Sequence, residues 1–252
     1  MELGLAGRTV MISGGSRGIG RATALASAGE GANVAITYHR DQAAAWAVVD
    51  EIVTGGGTAT ATALDLADGA SITAAVDDVV RHFGGIDTLV ANAVRWPIDA
   101  MAPLGTVDFG TWAGALRANL EGTVFLVQAA LPHLVASDAG RIVLISSGVS
   151  RDGRAGASAY ATAKAGLDGL LAALKWEVGP QGVLVNIVSP GFTVTENNLA
   201  RFPDELRESV RQATPSAKLS QPDDVARAAL FLGSPANGNI SGVYLPVAGG
   251  TN

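Results

Sequence analysis

Residues 9–25 read TVMISGGSRGIGRATAL, and this stretch decides the fold. Thr9–Ser13 is a short apolar run typical of a buried strand, and a glycine-rich turn and an alanine-rich helical pattern follow at once. Gly14 permits a tight turn, Gly18 lets a backbone approach a phosphate, and Gly20 allows close packing of helix and strand. This order predicts a dinucleotide-binding βαβ unit, with the phosphates at the positive end of the helix.

The rest of the chain repeats the alternation of short β-rich runs and longer helical segments. The predicted strands are Thr9–Ser13, Asn33–Tyr38, Thr58–Leu64, Thr88–Asn92, Arg141–Ser147, Leu184–Ser189 and Gly242–Val247. The first, fourth, fifth and sixth are almost continuously apolar, as in strands covered on both faces. We therefore predict one α/β domain over residues 1–252, a Rossmann-like, doubly wound parallel sheet of about seven strands flanked by helices. Residues 192–218, which lack clear periodicity, form a candidate substrate lid.

Composition excludes several classes of function. The chain has 252 residues and a formal net charge of −6, so it should repel phosphate backbones, and we expect no nucleic-acid partner. The absence of cysteine excludes a disulfide framework, a thiolate nucleophile and a cysteine-ligated zinc site, and we predict no metal site. Without a signal-like leader or an apolar run of membrane-spanning length, the chain is expected to be cytoplasmic and to have no membrane partner.

The end of the second predicted strand indicates which dinucleotide is bound. A site for NAD places a carboxylate about 20 residues beyond the glycine loop. Here no acid appears before Asp41, while Arg17 and Arg40 offer two cations for a 2′-phosphate. The alternative is that both arginines are solvated surface charges. We predict NADPH, or NADP+ in the oxidised form, rather than NADH.

A second constellation surrounds Tyr160. Tyr160 and Lys164 are one turn apart in an alanine-rich helical segment, so they lie on the same face of a helix. Ser147, at the end of the fifth predicted strand, lies 13 residues upstream of Tyr160. Together with the glycine loop, this pattern resembles the short-chain dehydrogenase/reductase family, and the resemblance covers essentially the whole chain.

The resemblance implies which residues contact the cofactor. They are Gly14, Ser16, Arg17, Gly18, Ile19, Gly20, Arg40, Asp65, Leu66, Asn92, Tyr160, Lys164, Pro190, Gly191, Thr193 and Thr195. Asp65 would lie beside the adenine, and Gly191 with Thr195 would lie beside the nicotinamide carboxamide. Where the family often has Asn-Asn-Ala-Gly, residues 91–94 read ANAV. Val94 therefore adds bulk beside the cofactor.

The resemblance also implies a catalytic set of Ser147, Tyr160, Lys164 and Asn119. Tyr160 would donate a proton to the carbonyl oxygen of the substrate, and the ammonium of Lys164 would lower the pKa of that phenol. Lys164 would also bind the nicotinamide ribose, Ser147 would hold the substrate oxygen, and Asn119 would anchor the water that resupplies the proton. The expected reaction is reduction of a ketone to a secondary alcohol, in a homotetramer or homodimer.

The residues expected around the carbonyl favour a bulky, planar ketone. They are Trp96, Val149, Arg154, Phe192, Leu199 and Phe202. Flat and apolar walls suit such a substrate, although Trp96 and Phe202 could instead be core or subunit-contact residues.

Features outside the catalytic set resemble two kinds of ketoreductase. One acts on carrier-bound 3-oxoacyl thioesters, and the other tailors aromatic polyketides such as angucycline-like antibiotics. We favour the aromatic polyketide, because the segment from Glu196 to Glu208 is too acidic to meet an acidic carrier protein.

Two alternatives come from other classes of function. Halohydrin-type lyases resemble this family but carry arginine in place of the lysine and an aromatic residue in the glycine loop, so Lys164 and the intact glycines argue against them. A non-catalytic NADP-binding regulator is disfavoured because Ser147, Tyr160 and Lys164 are all present.

Overall fold

Seven parallel strands form the centre of the structure, a computed structural model that describes residues 2–251. The strands are β1 (Thr9–Ile12), β2 (Asn33–Tyr38), β3 (Thr58–Ala63), β4 (Thr88–Ala91), β5 (Arg141–Ile145), β6 (Leu184–Pro190) and β7 (Tyr244–Val247). Their order in the sheet is β3-β2-β1-β4-β5-β6-β7, and every neighbouring pair is parallel. The predicted fold class is confirmed, and each predicted strand is present with ends within two residues of those expected.

Ten α-helices in the described part of the chain cover the sheet or close its carboxyl edge. They are α1 (Gly18–Gly29), α2 (Gln42–Thr54), α3 (Gly69–Phe83), α4 (Phe109–Leu116), α5 (Gly122–Ala136), α6 (Val149–Asp152), α7 (Ser158–Val178), α8 (Glu196–Arg201), α9 (Asp204–Ala213) and α10 (Pro222–Leu232). A π-helical turn over residues 117–121 joins α4 to α5.

The inner strands are buried on both faces, and their successive side chains enter different cores. In β5, Ile142 and Leu144 join the core formed with α3, α5 and α7, while Val143 and Ile145 join the core formed with α1, α2 and α10. All five residues of β5 are buried. This alternation explains why residues 142–145 are continuously apolar.

The strand order reverses between β1 and β4. Because β2 and β3 extend to one side of β1 and β5 to β7 extend beyond β4, the connections leave a crevice where the carboxyl ends of β1 and β4 meet. Ligands of open α/β sheets bind at such a switch point.

The candidate lid, residues 192–218, contains α8 and α9. The sequence shows no clear period there because α9 is mostly polar and buries no residue fully; its inner face consists of the partly buried Leu206 and Val210, one turn apart. Within residues 2–251, no helix is both long enough and apolar enough to cross a bilayer.

Candidate active site

A cavity of about 690 Å³ lies at the carboxyl edge of the sheet, at the switch point. All sixteen residues predicted to contact the cofactor line it. So do three of the four predicted catalytic residues and five of the six predicted substrate residues. The exceptions are Asn119 and Leu199.

The glycine loop is fixed by hydrogen bonds to the end of β4. The side-chain amide of Asn92 donates to the carbonyl oxygens of Ser13 (3.0 Å) and Gly14 (3.1 Å). In return, the Ser13 hydroxyl accepts from the backbone N–H groups of Asn92 and Ala93. A Cβ added at Gly20 would lie 2.2 Å from the carbonyl oxygen of Gly14, so the loop closes only around glycine.

The N-terminus of α1 faces the cavity. Gly14 and Gly18 have φ of +71° and +53°, conformations that favour glycine. Arg17, the residue before the helix, makes no side-chain capping bond. The first N–H groups of α1 are therefore free to bind an anion, and the glycine cradle fits a pyrophosphate.

Charged groups gather where the adenosine end of a dinucleotide would lie. Arg17 forms an ion pair with Asp41, whose carboxylate also caps α2. His39 lies 3.3 Å from Asp65. Arg40 has no carboxylate within 4.0 Å among residues 2–251. The sequence identified both arginines but missed the Arg17–Asp41 pair, although Asp41 directly follows Arg40.

Lys164 is buried at the centre of the site. Its ammonium donates a 2.7 Å hydrogen bond to the carbonyl oxygen of Ile145, the last residue of β5, and the residue is only 3% exposed. Burial lowers the pKa of Lys164 to about 8. The lysine thus ties α7 to the strand end that precedes Ser147.

Tyr160 lies one turn before Lys164 on α7 and is partly buried. Burial raises the pKa of its phenol, and a hydrogen bond with the Ser147 side chain opposes that shift. The pKa of Tyr160 is thus raised overall and not lowered as expected beside Lys164, because burial is the larger effect and the ammonium is directed at the Ile145 carbonyl. The phenol is therefore protonated at neutral pH.

Asn119 lies behind the cavity, in the π-helical turn. Its amide donates to the carbonyl oxygens of Arg95 and Ala115, each at 2.9 Å, and its oxygen accepts from the Arg95 N–H at 2.8 Å. The side chain therefore fixes the segment that carries Trp96. Because both amide hydrogens are used, the anchoring of a water by Asn119 stays a prediction.

Aromatic rings line the part of the cavity beyond Tyr160. The Trp96 ring lies 5.1 Å from the Tyr160 ring, and the Phe192 and Phe202 rings are 5.5 Å apart. Val149 and Arg154 complete this wall, as the sequence predicted.

Leu199 corrects one prediction, since it does not line the cavity and is 45% exposed. The helical period of α8 turns Asn198, Arg201 and Phe202 inward and Leu199 outward. Arg201, which the sequence analysis missed, therefore takes the place expected for Leu199. The helical period of residues 196–202 was the signal that could have identified it.

Tyr244 of β7 supports Ser147 from behind, and no sequence motif marked it. Its hydroxyl lies 2.6 Å from the Ser189 hydroxyl and donates a weaker bond of 3.4 Å to the Ser147 carbonyl. The guanidinium of Arg151 covers the Tyr244 ring at 3.4 Å.

Comparisons with known proteins agree with this geometry. A family model described as enoyl-(acyl carrier protein) reductase matches residues 14–252. The 3-oxoacyl-(acyl-carrier-protein) reductase FabG of Staphylococcus aureus is 35% identical over 243 residues, which cover 96% of this chain and 97% of that protein.

Two solved structures are similar along their whole length. A short-chain dehydrogenase from Burkholderia cenocepacia in complex with NADP is 37% identical, with a TM-score of 0.90 over 98% of this chain and 99% of that one. A 7α-hydroxysteroid dehydrogenase complexed with NADH and 7-oxo glycochenodeoxycholic acid is 31% identical, with a TM-score of 0.93 over 99% of this chain and 96% of that one.

The buried ammonium of Lys164 predicts a pH dependence of stability. Its pKa is about 8 in the folded protein against 10.5 for the free side chain, so between these values the unfolded chain binds a proton that the folded protein has lost. The free energy of unfolding should therefore rise with pH, by about 1.4 kcal/mol per pH unit. In urea denaturation at pH 8 and pH 10, the wild type should gain about 2 kcal/mol relative to Lys164→Met. A difference between the two proteins that does not change with pH contradicts the burial of this charge.

Proposed function

The chain belongs to the short-chain dehydrogenase/reductase family, and we propose that its substrate is a planar, polycyclic aromatic ketone. This ketone would be the ring ketone of an angucycline-like polyketide in secondary metabolism. The chain is an NADPH-dependent ketoreductase, which reduces a ketone to a secondary alcohol. The observation that carries the choice of substrate is the aromatic wall of Trp96, Phe192 and Phe202 next to Tyr160.

The residues present fit NADPH. The glycine loop and the open N-terminus of α1 suit its pyrophosphate, and Arg40 suits its 2′-phosphate. Arg17 would join Arg40 by exchanging its ion pair with Asp41 for one with the phosphate. Tyr160 and Lys164 lie at the other end of the same cavity, where the nicotinamide ribose would bind. When bound, NADPH supplies the hydride that reduces the carbonyl carbon.

The side chains around the carbonyl would supply the proton and hold the oxygen. Tyr160 is protonated at neutral pH, so its hydroxyl can donate a proton to the carbonyl oxygen. Ser147 would donate a hydrogen bond to the same oxygen. Below pH 8 the Lys164 ammonium, one turn away, stabilises the phenolate that the proton transfer leaves behind.

The aromatic lining of the cavity supports a polycyclic ketone. Flat side chains favour flat ligands through stacking and burial of apolar surface. The hydroxysteroid dehydrogenase, which shares this fold along its whole length, holds a steroid with a 7-oxo group. The scaffold thus accommodates fused rings in a relative.

The second candidate substrate is a 3-oxoacyl thioester on a carrier protein, which the relative from Staphylococcus aureus favours by its name. Helix α9 of the lid argues against it. In α9, Arg207 pairs with Asp204 and Arg211 pairs with Glu208, so neither arginine offers a free charge to an acidic carrier.

We also propose that the enzyme is a homotetramer or homodimer. Phe109 on α4 and Trp176 on α7 are 77% and 76% exposed, and Phe125 on α5 is 37% exposed. Large apolar side chains on neighbouring helices are typical of a subunit contact.

The cofactor assignment predicts that the wild type prefers NADPH to NADH. Arg17→Ala should weaken NADPH binding by about 1.5–3 kcal/mol, the scale of a charge-assisted hydrogen bond, and should leave NADH binding almost unchanged. Titration of protein fluorescence with each cofactor measures both affinities. Arg21→Ala is the matched control, since Arg21 pairs with Glu51 outside the cavity. Equal affinity of the wild type for both cofactors would overturn the assignment.

The substrate assignment predicts a strong effect of Trp96→Ala. Loss of the indole should lower kcat/KM for a polycyclic aromatic ketone by roughly 10-fold to 100-fold, the scale of a lost aromatic contact with its buried area. Reduction of a short acetoacetyl thioester should change little, because it cannot stack on the ring. Steady-state kinetics with both substrates provide the test. The proposal fails if the wild type prefers the thioester, or if the substitution leaves the constant for the polycycle untouched.

A further inference from the structure

Five arginines in the described chain form neither an ion pair nor a hydrogen bond through the guanidinium. They are Arg40, Arg95, Arg117, Arg154 and Arg201. Four of the five line the cavity, and Arg117 is the exception. Free guanidinium groups are therefore concentrated at the site rather than spread over the surface.

Arg154 and Arg201 are held against the aromatic wall. The guanidinium of Arg201 lies 5.3 Å from the centre of the Trp96 ring, and that of Arg154 lies 5.7 Å from the Phe202 ring. Both distances fall within the range of a cation–π interaction. The Trp96 ring thus contacts both Arg201 and the ring of Tyr160.

The cation–π contacts position the guanidinium groups of Arg154 and Arg201 without neutralising their charge. A guanidinium that lies on a ring keeps its N–H donors in its own plane, where they match the two oxygens of a carboxylate. The cation–π contact also limits the rotamers of the arginine, so less side-chain entropy is lost when an anion binds. The wall therefore carries two positive groups ready to bind an anion.

No described acid forms an ion pair with Arg154 or Arg201. Asp41 pairs with Arg17 and Asp65 with His39, at the adenosine end. Glu196 lies near the glycine loop, with a carboxylate oxygen 3.9 Å from a Cβ added at Gly18. Only Asp152 remains on the substrate side, and it forms no ion pair with a described residue.

We propose that the ketone substrate carries a carboxylate, which Arg201 and Arg154 bind while the fused rings lie along Trp96 and Phe202. This inference rests on the proposed function, which places a planar ketone against the same wall. It adds that the substrate is an aromatic oxo acid, held at one end by the arginines and at the other by Tyr160 and Ser147. The positive charge of the two arginines thereby selects for substrates with a carboxylate and determines the orientation in which the ring system binds.

The test compares two ketones with the same fused rings, one with a free carboxylate and one with its methyl ester. The wild type should reduce the acid with a kcat/KM about 10-fold to 100-fold above that of the ester, the range for loss of charge-assisted bonds. The difference should lie mainly in KM and should shrink as salt is raised, because the arginines are exposed. The product of the reaction, the alcohol that carries the carboxylate, does not react in the absence of NADP+. A tritiated or fluorescent sample of this alcohol measures binding without turnover.

Substitutions assign the effect to the two arginines. Arg201→Gln and Arg154→Gln should each lower kcat/KM for the acid by a much larger factor than for the ester, so that most of the preference for the acid is lost. Arg201→Lys keeps the charge but loses the planar fork, and should restore part of the preference. Arg81→Gln is the control, because Arg81 pairs with Asp78 on α3, outside the cavity.

The outcomes separate this inference from the proposed function. If the wild type reduces acid and ester equally well, the carboxylate site is wrong and the ketoreductase assignment stands. If neither ketone is reduced, the proposed substrate class is wrong, and the carboxylate inference that rests on it is overturned as well. If an acetoacetyl-CoA thioester is preferred to both and Arg201→Gln weakens that reaction, the arginines bind the phosphates of a thioester carrier and the inference is overturned.

Discussion

The hydrogen bonds between Asn92 and the glycine loop join the carboxyl ends of β1 and β4, and both ends of the cavity depend on this link. On the cofactor side they fix Gly14 and so set the start of α1. On the substrate side the chain leaves β4 through Arg95, which the buried amide of Asn119 holds by backbone hydrogen bonds, and so places Trp96 against Tyr160. Polar side chains buried at strand ends thus position a site that lies on loops.

A second constraint is the burial of ionisable groups beneath the substrate. Lys164 is held in a buried position by one carbonyl oxygen, and burial raises the pKa of Tyr160. Desolvation favours the neutral phenol, which is the form that a reductase needs as its proton donor. The lysine charge becomes useful when the phenolate forms, since opposite charges interact strongly where water is excluded.

Much of this arrangement could be predicted from the sequence, because it depends on local pattern. The strands follow from continuous apolar runs, the loop follows from Gly14, Gly18 and Gly20, and the spacing of Ser147, Tyr160 and Lys164 survives folding. Contacts between distant elements could not be predicted. The contact of Arg201 with Trp96 depends on the phase of a six-residue helix, and the sequence of that segment does not show that Leu199 faces outward.

We propose that Tyr160 donates the proton to a ketone in this cavity, and Tyr160→Phe tests this role most directly. The variant loses one hydroxyl and keeps the ring that packs against Trp96, so the fold and the cavity wall are preserved. Turnover of the ketone should fall by at least about 100-fold, the lower part of the range for a general acid, while NADPH affinity stays nearly unchanged. Turnover close to that of the wild type would contradict the account.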